Sequence, residues 1–374
     1  MADPLEQRLA QLTLSLCSIP SVTGGERAIC DHVERWAQGR FPGRTRRIGE
    51  TLIVGRFDDP RPTLALVGHL DTVPGRPEDG PARIEGDRVI GLGSSDMKSG
   101  DAVMIALAED LDLAALPYNL VLVFYDAEEG PYEENGLGPV LAQVPELSRV
   151  AFAIFLESCD NQLQMACMGS MHARVRFVGK RAHSARPWQG ENAIHKAADL
   201  LAELGARERR RVVIEGFEYF EVVSATLAEG GRARNVVPER FELNLNYRFA
   251  PGKSLAQAEQ ELRALVGDRA EVEIVDRSPA GAVCAANPIY QQLQRISGAQ
   301  AGPKQAWTDV GRFAAHGIDS VNFGPGLTSQ AHQAGEFVPL ANLADSYRML
   351  RAFLEAPLAE LAERAGPPPG VEPA

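Results

Sequence analysis

A chain of 374 residues is longer than most single hydrophobic cores, so two domains are expected. Hydrophobic residues at 45% and charged residues at 24% exclude an extended disordered polymer. The formal net charge of -12 argues against a nucleic-acid partner, which would demand clustered basic surface.

In chain order, the first residues lack a signal-peptide pattern, and residues 5–17 and 26–39 carry the periodicity of amphipathic helices around a Pro20/Gly24/Gly25 loop. Apolar strand-like runs follow at Thr63–Gly68, Asn119–Tyr125, Val150–Leu156 and, late in the chain, Ser320–Phe323, with a helix expected over Ser99–Leu111. Strands alternating with helices predict an α/β catalytic domain built on a mixed, mostly parallel sheet, over 1–170 and 285–366. Between these parts the pattern changes. Met171–Val178, Phe220–Leu227, Phe241–Phe249 and Ala270–Val275 read as strands, and Asn192–Arg207 and Leu255–Leu265 as helices. That order, βαββαβ, predicts an inserted ferredoxin-like α+β domain over 171–284. The basic run Arg207, Arg209, Arg210, Arg211 reads as a solvated helix end. The Pro/Gly-rich segment 367–374 is expected to be a disordered tail. Five cysteines, odd in number and widely spaced, favour a reducing compartment. No apolar run reaches the length of a membrane span, so a cytoplasmic location and no membrane partner are expected.

In a parallel sheet the ligand crevice lies beyond the carboxyl ends of the strands, and four of these strand ends deliver a histidine or a carboxylate. In Gly68-His69-Leu70-Asp71, residues two apart face one side, so Asp71 can fix the tautomer of a metal-binding His69. Asp96, in a glycine-rich stretch just before a helix, is either an N-cap or a carboxylate shared by two metal ions. The Lys and Ser spacing there does not match a phosphate loop. Asp126-Ala127-Glu128-Glu129-Gly130 is either a surface turn or a pair of carboxylates dividing labour, one on metal and one moving a proton. Glu157 ends the next strand, and His332 sits in a late loop. Each motif alone fits a cap or a surface turn. As a set, mixed His/carboxylate donors suit zinc with an open catalytic position.

The motifs His-Leu-Asp-Thr-Val-Pro, Ser-Asp-Met-Lys-Ser-Gly and Asp-Ala-Glu-Glu-Gly, with the strand-end Glu157 and the late His332, resemble a di-zinc family. It comprises succinyl-diaminopimelate desuccinylases, acetylornithine deacetylases, aminoacylases and related carboxypeptidases. Arg181-Ala182-His183-Ser184, Asn246-Tyr247-Arg248-Phe249 and Trp307-Thr308-Asp309 look similar to the desuccinylases in their actinobacterial form. The resemblance implies a zinc aminopeptidase-like catalytic domain holding two Zn2+ per subunit, with Co2+ able to substitute. It places one ion on His69 and Glu157, the other on Glu129 and His332, and Asp96 between them. Asp71 would orient His69, and Glu128 would be the general base. The inserted domain would serve as lid and form a homodimer, so that His183 and Asn235 reach across to the other subunit's site. Arg248, Thr308, Ser170 and Gly326 fall at substrate-binding positions. The implied reaction is removal of the acyl group from an N-acyl amino acid, N-succinyl-LL-2,6-diaminopimelate first among candidates. Acetylornithine deacetylase, aminoacylase or carboxypeptidase activity stands as the alternative, and a non-catalytic binding protein on the same fold as the rival class.

Two features depart from that pattern. The strand end reads Leu156-Glu157-Ser158 where the family has Gly-Glu-Pro, and Cys167-Met168 stands where many desuccinylases carry Arg-Arg before Gly-Ser. His32, His172, His195 and His316 read as non-catalytic, and Met168 and Met171 as packing residues.

Overall fold

The structure, a computed structural model, describes residues 3–357. The chain divides into two compact units. The first comprises residues up to Met165, Cys284–Gly302 and Phe313 onward; the second comprises Ala166–Val283 and Pro303–Arg312. The expected tail at 367–374 lies outside the described residues.

In the first unit a sheet runs in the spatial order Thr45–Ile48, Thr51–Val54, Asn119–Tyr125, Thr63–His69, Val150–Phe155, Ser320–Asn322, Leu163–Met165, Ala301–Pro303. Thr63–His69 pairs in parallel with both Asn119–Tyr125 and Val150–Phe155, and Ser320–Asn322 continues the parallel run. An antiparallel hairpin at one side and Leu163–Met165 at the other make the sheet mixed. Thr63–His69 and Asn119–Tyr125 are buried at every residue. That explains their unbroken apolar sequence, since parallel strands are covered on both faces. Helices Pro4–Cys17, Lys98–Asp110 and Leu340–Glu355 pack against one another, and Arg27–Arg40 lies against Thr51–Val54. The parallel register sets His69 opposite Tyr125 and Val67 opposite Phe155. The chain therefore leaves three neighbouring strands at one end of the sheet, directly before or at His69, Asp126 and Glu157.

The second unit is an antiparallel sheet in the order Arg210–Ile214, Phe217–Gly230, Arg240–Phe249, Gly169–Val178, Glu271–Ser278. The first and third strands of the βαββαβ order lie at the centre and the second and fourth outside them. Alternation sends Met171, Ala173, Val175 and Phe177, with Leu243, Leu245 and Phe249, into one apolar core with residues of Ala198–Ala206 and Leu255–Val266.

Three expectations are corrected here. The helix expected over 192–207 is two pieces, Ala193–Lys196 and Ala198–Ala206, with a turn at Ala197. The basic run is not a helix end beyond Arg207. Arg210 and Arg211 open a strand and pair across it with Glu221 and Glu218. The turn that makes this possible is Glu215-Gly216, both at positive φ (48 and 87), the geometry of a mirror-image two-residue hairpin. Finally, residues 303–312, assigned by sequence to the catalytic part, fold with the inserted unit. Trp307 Nε1 donates to the Pro279 carbonyl at 2.9 Å, and the Gln305 side-chain amide accepts from the Phe220 N–H at 3.2 Å, standing in for a strand neighbour. Gly311 packs so closely that a Cβ there would lie 2.3 Å from the Pro279 carbonyl oxygen.

Candidate metal centre

The five expected ligands converge within the first unit. One group of donor atoms mutually within 4.8 Å is His69, Asp96 and Glu157; a second is Asp96, Glu129 and His332. Asp96 belongs to both, the position a shared ligand must take. Glu128 enters a third such group with His69 and Glu129.

His69 is fully buried at the end of its strand. Its Nδ1 lies 3.1 Å from the Asp71 main-chain oxygen and 3.3 Å from the Asp71 carboxylate, while Nε2 faces Asp96 Oδ1 at 3.4 Å. A proton on Nδ1 therefore leaves the Nε2 lone pair directed at the crevice. Asp71 does more than orient this ring. Its carboxylate accepts from the main-chain N–H groups of Glu128 and Glu129, both at 3.0 Å, and from Thr23 Oγ1 at 2.9 Å. One buried carboxylate thus ties the His69 strand end to the turn carrying Glu128 and Glu129. Ala127, with φ of 57, supplies the bend in that turn.

His332, also at positive φ (61), places Nε2 2.9 Å from Glu129 Oε1 and 3.8 Å from Asp96 Oδ2. Glu129, the largest cause, with Asp96 pushes the His332 imidazole up to about 9. Burial lowers the affinity of His69 for a proton, but Asp71 and Asp96 outweigh it and raise the ring well above its usual value. Both imidazoles thus sit where the local field calls for positive charge. That field and the His/carboxylate donor set fit divalent cations of the zinc type.

Sequence reasoning missed one residue that builds this centre. Glu336 is buried, and its carboxylate accepts from the N–H groups of Gly93 at 2.8 Å, Ser95 at 2.7 Å and Asp96 at 2.8 Å. It clamps the loop presenting Asp96. Burial, the largest cause, pushes its carboxyl up to about 7 against those three donors. The position follows from pairing: Phe337–Pro339 runs antiparallel to Arg88–Ile90, so Glu336 meets the loop that continues from Ile90. A lone Glu before a short apolar strand was the only signal. Gly326 has a packing reason as well, because a Cβ there would fall 2.0 Å from the Ser95 carbonyl oxygen. Lys98 turns away from the crevice and donates to the Leu16 and Ile19 carbonyls at 3.3 and 2.9 Å, in keeping with the exclusion of a phosphate loop.

The other expected site residues lie in the second unit. His183 pairs with Val236 in a short two-strand ladder, and just beyond it the Ser184 N–H donates to the Asn235 carbonyl at 3.0 Å. Ser170 and Arg248 stand opposite each other on adjacent strands. Thr308 is buried, and its carbonyl accepts from the Gly311 N–H at 3.0 Å. Cys167 and Met168, in place of the family's arginines, are fully buried.

Residues 65–356 match peptidase family M20/M25/M40. A Mycobacterium tuberculosis protein provisionally named succinyl-diaminopimelate desuccinylase DapE is 38% identical over 354 residues, covering 94% of this chain and 98% of its own. The Corynebacterium glutamicum succinyl-diaminopimelate desuccinylase is 32% identical over 351 residues, 92% of this chain and 95% of its own. Among solved structures, an M20 family metallo-carboxypeptidase from Sulfolobus solfataricus superposes with a TM-score of 0.78 at 16% identity, over 95% of this chain and 99% of that one. With a family match across most of its length and relatives above 30% identity, this chain belongs to the M20/M25/M40 peptidases, a family that includes dinuclear metal-binding members, and is a metal-dependent hydrolase.

Proposed function

We propose that this chain hydrolyses N-succinyl-LL-2,6-diaminopimelate to succinate and LL-2,6-diaminopimelate with two zinc ions, for which cobalt can substitute. The observation that carries the reading is the convergence of His69, Asp96, Glu129, Glu157 and His332 into two donor groups sharing Asp96. The choice of acyl group is supported by relatives of that name at 38% and 32% identity.

Two divalent cations in such a cage polarise the scissile carbonyl and acidify a water molecule. The chain's own residues do the rest. Glu128 lies beside His69 and Glu129 on a turn pinned by Asp71, placed to take the proton of the attacking water and hand it to the leaving amine. In the inserted unit, His183 Nδ1 accepts from the Ala185 N–H at 3.0 Å, so the ring proton resides on Nε2. That N–H is free to donate to a developing oxyanion, in a homodimer at the other subunit's site, with Asn235 beside it. Arg248, with Ser170 and Thr308, receives the carboxylate and amide groups of the substrate, and Gly326 is a substrate-binding position within the first unit. With Cys167 and Met168 uncharged, Arg248 carries the anion recognition that the family's arginine pair would share. Five free thiols fit a reducing cytoplasm.

The deciding experiment is a panel of N-succinyl-LL-diaminopimelate, N-acetylornithine and dipeptides on zinc-reconstituted protein. The N-succinyl substrate is expected to give the highest kcat/KM. A clear preference for N-acetylornithine or a dipeptide contradicts the proposed substrate, and no turnover with two ions bound favours a binding protein.

A further inference from the structure

On the face of the second unit's sheet turned away from its apolar core, Ser170, His172, Asn244, Asn246 and Arg248 form a polar row. Neighbouring arginines on that face are neutralised across the strands: Arg174 by Glu273 at 3.0 Å and Arg176 by Glu242 at 2.6 Å. Arg248 differs. Among the described residues its guanidinium makes no ion pair, and the hydrogen bond it makes is from Nε to Asn246 Oδ1 at 3.1 Å. Binding Nε to an amide rather than a carboxylate leaves the guanidinium with no carboxylate in contact, Asp276 acting on it only at a distance, and both terminal nitrogens open, the fork that grips a carboxylate bidentately. Asn246 can present its oxygen to Arg248 only if its NH2 points the other way. It does so, lying 2.8 Å from His172 Nε2 and 3.4 Å from Ser170 Oγ. His172 is the cross-strand neighbour of Asn246, as Ser170 is of Arg248.

We propose that Asn246 is a positioning residue that aims the Arg248 guanidinium at a substrate carboxylate, and that His172 sets which way the Asn246 amide faces. The proposal rests on the reading that Arg248 holds a carboxylate of the substrate. With Nε2 accepting from Asn246, the imidazole is neutral and its proton lies on Nδ1, 3.1 Å from the Asn244 side-chain amide, whose oxygen must then face the ring and can also accept from the Thr226 hydroxyl. Burial, and then the charge of Arg248, push the imidazole below its ordinary value, which keeps it neutral. Turning the amide over would set NH2 against the Arg248 Nε–H, donor against donor, and deprive His172 of its donor. Two mispaired contacts hold the orientation against rotation, so the fork is fixed before substrate arrives.

The test uses full-length, metal-loaded protein and whichever carboxylate-bearing N-acyl substrate the wild type cleaves best, so that its outcome does not depend on the identity of the acyl group. Asn246→Leu is expected to raise KM about tenfold with kcat within about twofold, the loss of an aimed charge-assisted contact. In an Arg248→Lys background the same change is expected to have little further effect, because the fork it aims is gone. His172→Ala is expected to share the rise in KM, and His172→Gln, which restores an acceptor, to reverse most of it. An unchanged KM in folded Asn246→Leu, or a rise just as large in the Arg248→Lys background, overturns the positioning role while leaving Arg248 itself standing if Arg248→Ala alone still raises KM. Should Asn246→Leu fail to fold, the His172 pair decides: wild-type KM in His172→Ala overturns the proposal, and a rise reversed by Gln supports it.

Discussion

The candidate metal centre of the first unit and the sheet of the second arrange charge in opposite ways. In the first, acidic side chains are gathered: Asp96, Glu128, Glu129 and Glu157 crowd around two histidines with donor atoms within 4.8 Å in overlapping groups. In the second, opposite signs alternate across strands, as in Arg176 with Glu242, Arg211 with Glu218 and Arg174 with Glu273. Exposed pairs of that kind contribute about 1 kcal/mol or less each and chiefly keep register. Gathered carboxylates repel one another and persist in a fold when a cation completes them. The difference teaches that concentration of one sign, rather than charge itself, marks where a ligand belongs. Arg248 is the counterpart in the second unit, a positive group with no carboxylate in contact, where the proposed function expects an anion.

The comparison is tested most severely at Glu128. If the gathered carboxylates divide between metal binding and proton transfer, Glu128→Gln lowers kcat by about 10²–10⁴-fold while zinc content, read by elemental analysis, is unchanged. Turnover near wild type would remove its role as base. In the second unit the matching change is Glu221→Ala. Glu221 is buried and takes Lys253 Nζ at 3.0 Å and the Ala250 N–H at 2.9 Å. Its loss leaves Lys253 to Glu261 and Tyr247 and takes the acceptor from the buried Ala250 N–H, and is expected to cost about 2 kcal/mol in urea unfolding, with metal content intact. An effect on metal content instead of stability would contradict the division of labour between the units. A smaller effect is expected at Glu336, where Gln keeps the shape but weakens three charge-assisted bonds. Zinc affinity should fall about 10–100-fold in competition with a chelator, and an unchanged affinity would show that the Asp96 loop holds itself.

The subtlest expectation concerns protons. In the metal-free protein His332, raised to about 9, carries a proton at pH 7, and His69 is shifted in the same direction by Asp71 and Asp96. A metal ligand must be neutral, so loading zinc at pH 7 expels protons, and the His332 share of that release falls as pH rises through 9. Calorimetry in buffers of different ionisation enthalpy reads this release. No proton release at pH 7 would place His332 outside the ligand set.

The catalytic motifs were legible in sequence because each is short and local. His69 with Asp71, and Glu128 with Glu129, sit at the ends of continuous apolar strands, and burial of those strands leaves no other register for them. Glu336 was not legible, because its partners are main-chain groups at Gly93–Asp96 that only the pairing of Phe337–Pro339 with Arg88–Ile90 brings near. The Arg210–Ile214 strand was misread because its turn uses Glu215 at positive φ, where Asn or Gly would have announced the hairpin. Residues 303–312 carry no local mark of the unit they join. Their allegiance rests on contacts such as Trp307 to Pro279. Alternation in Gly169–Val178 and Arg240–Phe249 did reveal the inserted sheet, since each strand buries only one face.

Anomalous diffraction at the zinc edge from crystals of zinc-loaded protein tests the central claim most directly. Two peaks a few ångströms apart are expected, one within coordination distance of His69 and Glu157, the other of Glu129 and His332, with Asp96 touching both. Peaks elsewhere, or none at these side chains in protein that binds zinc in solution, would contradict the account.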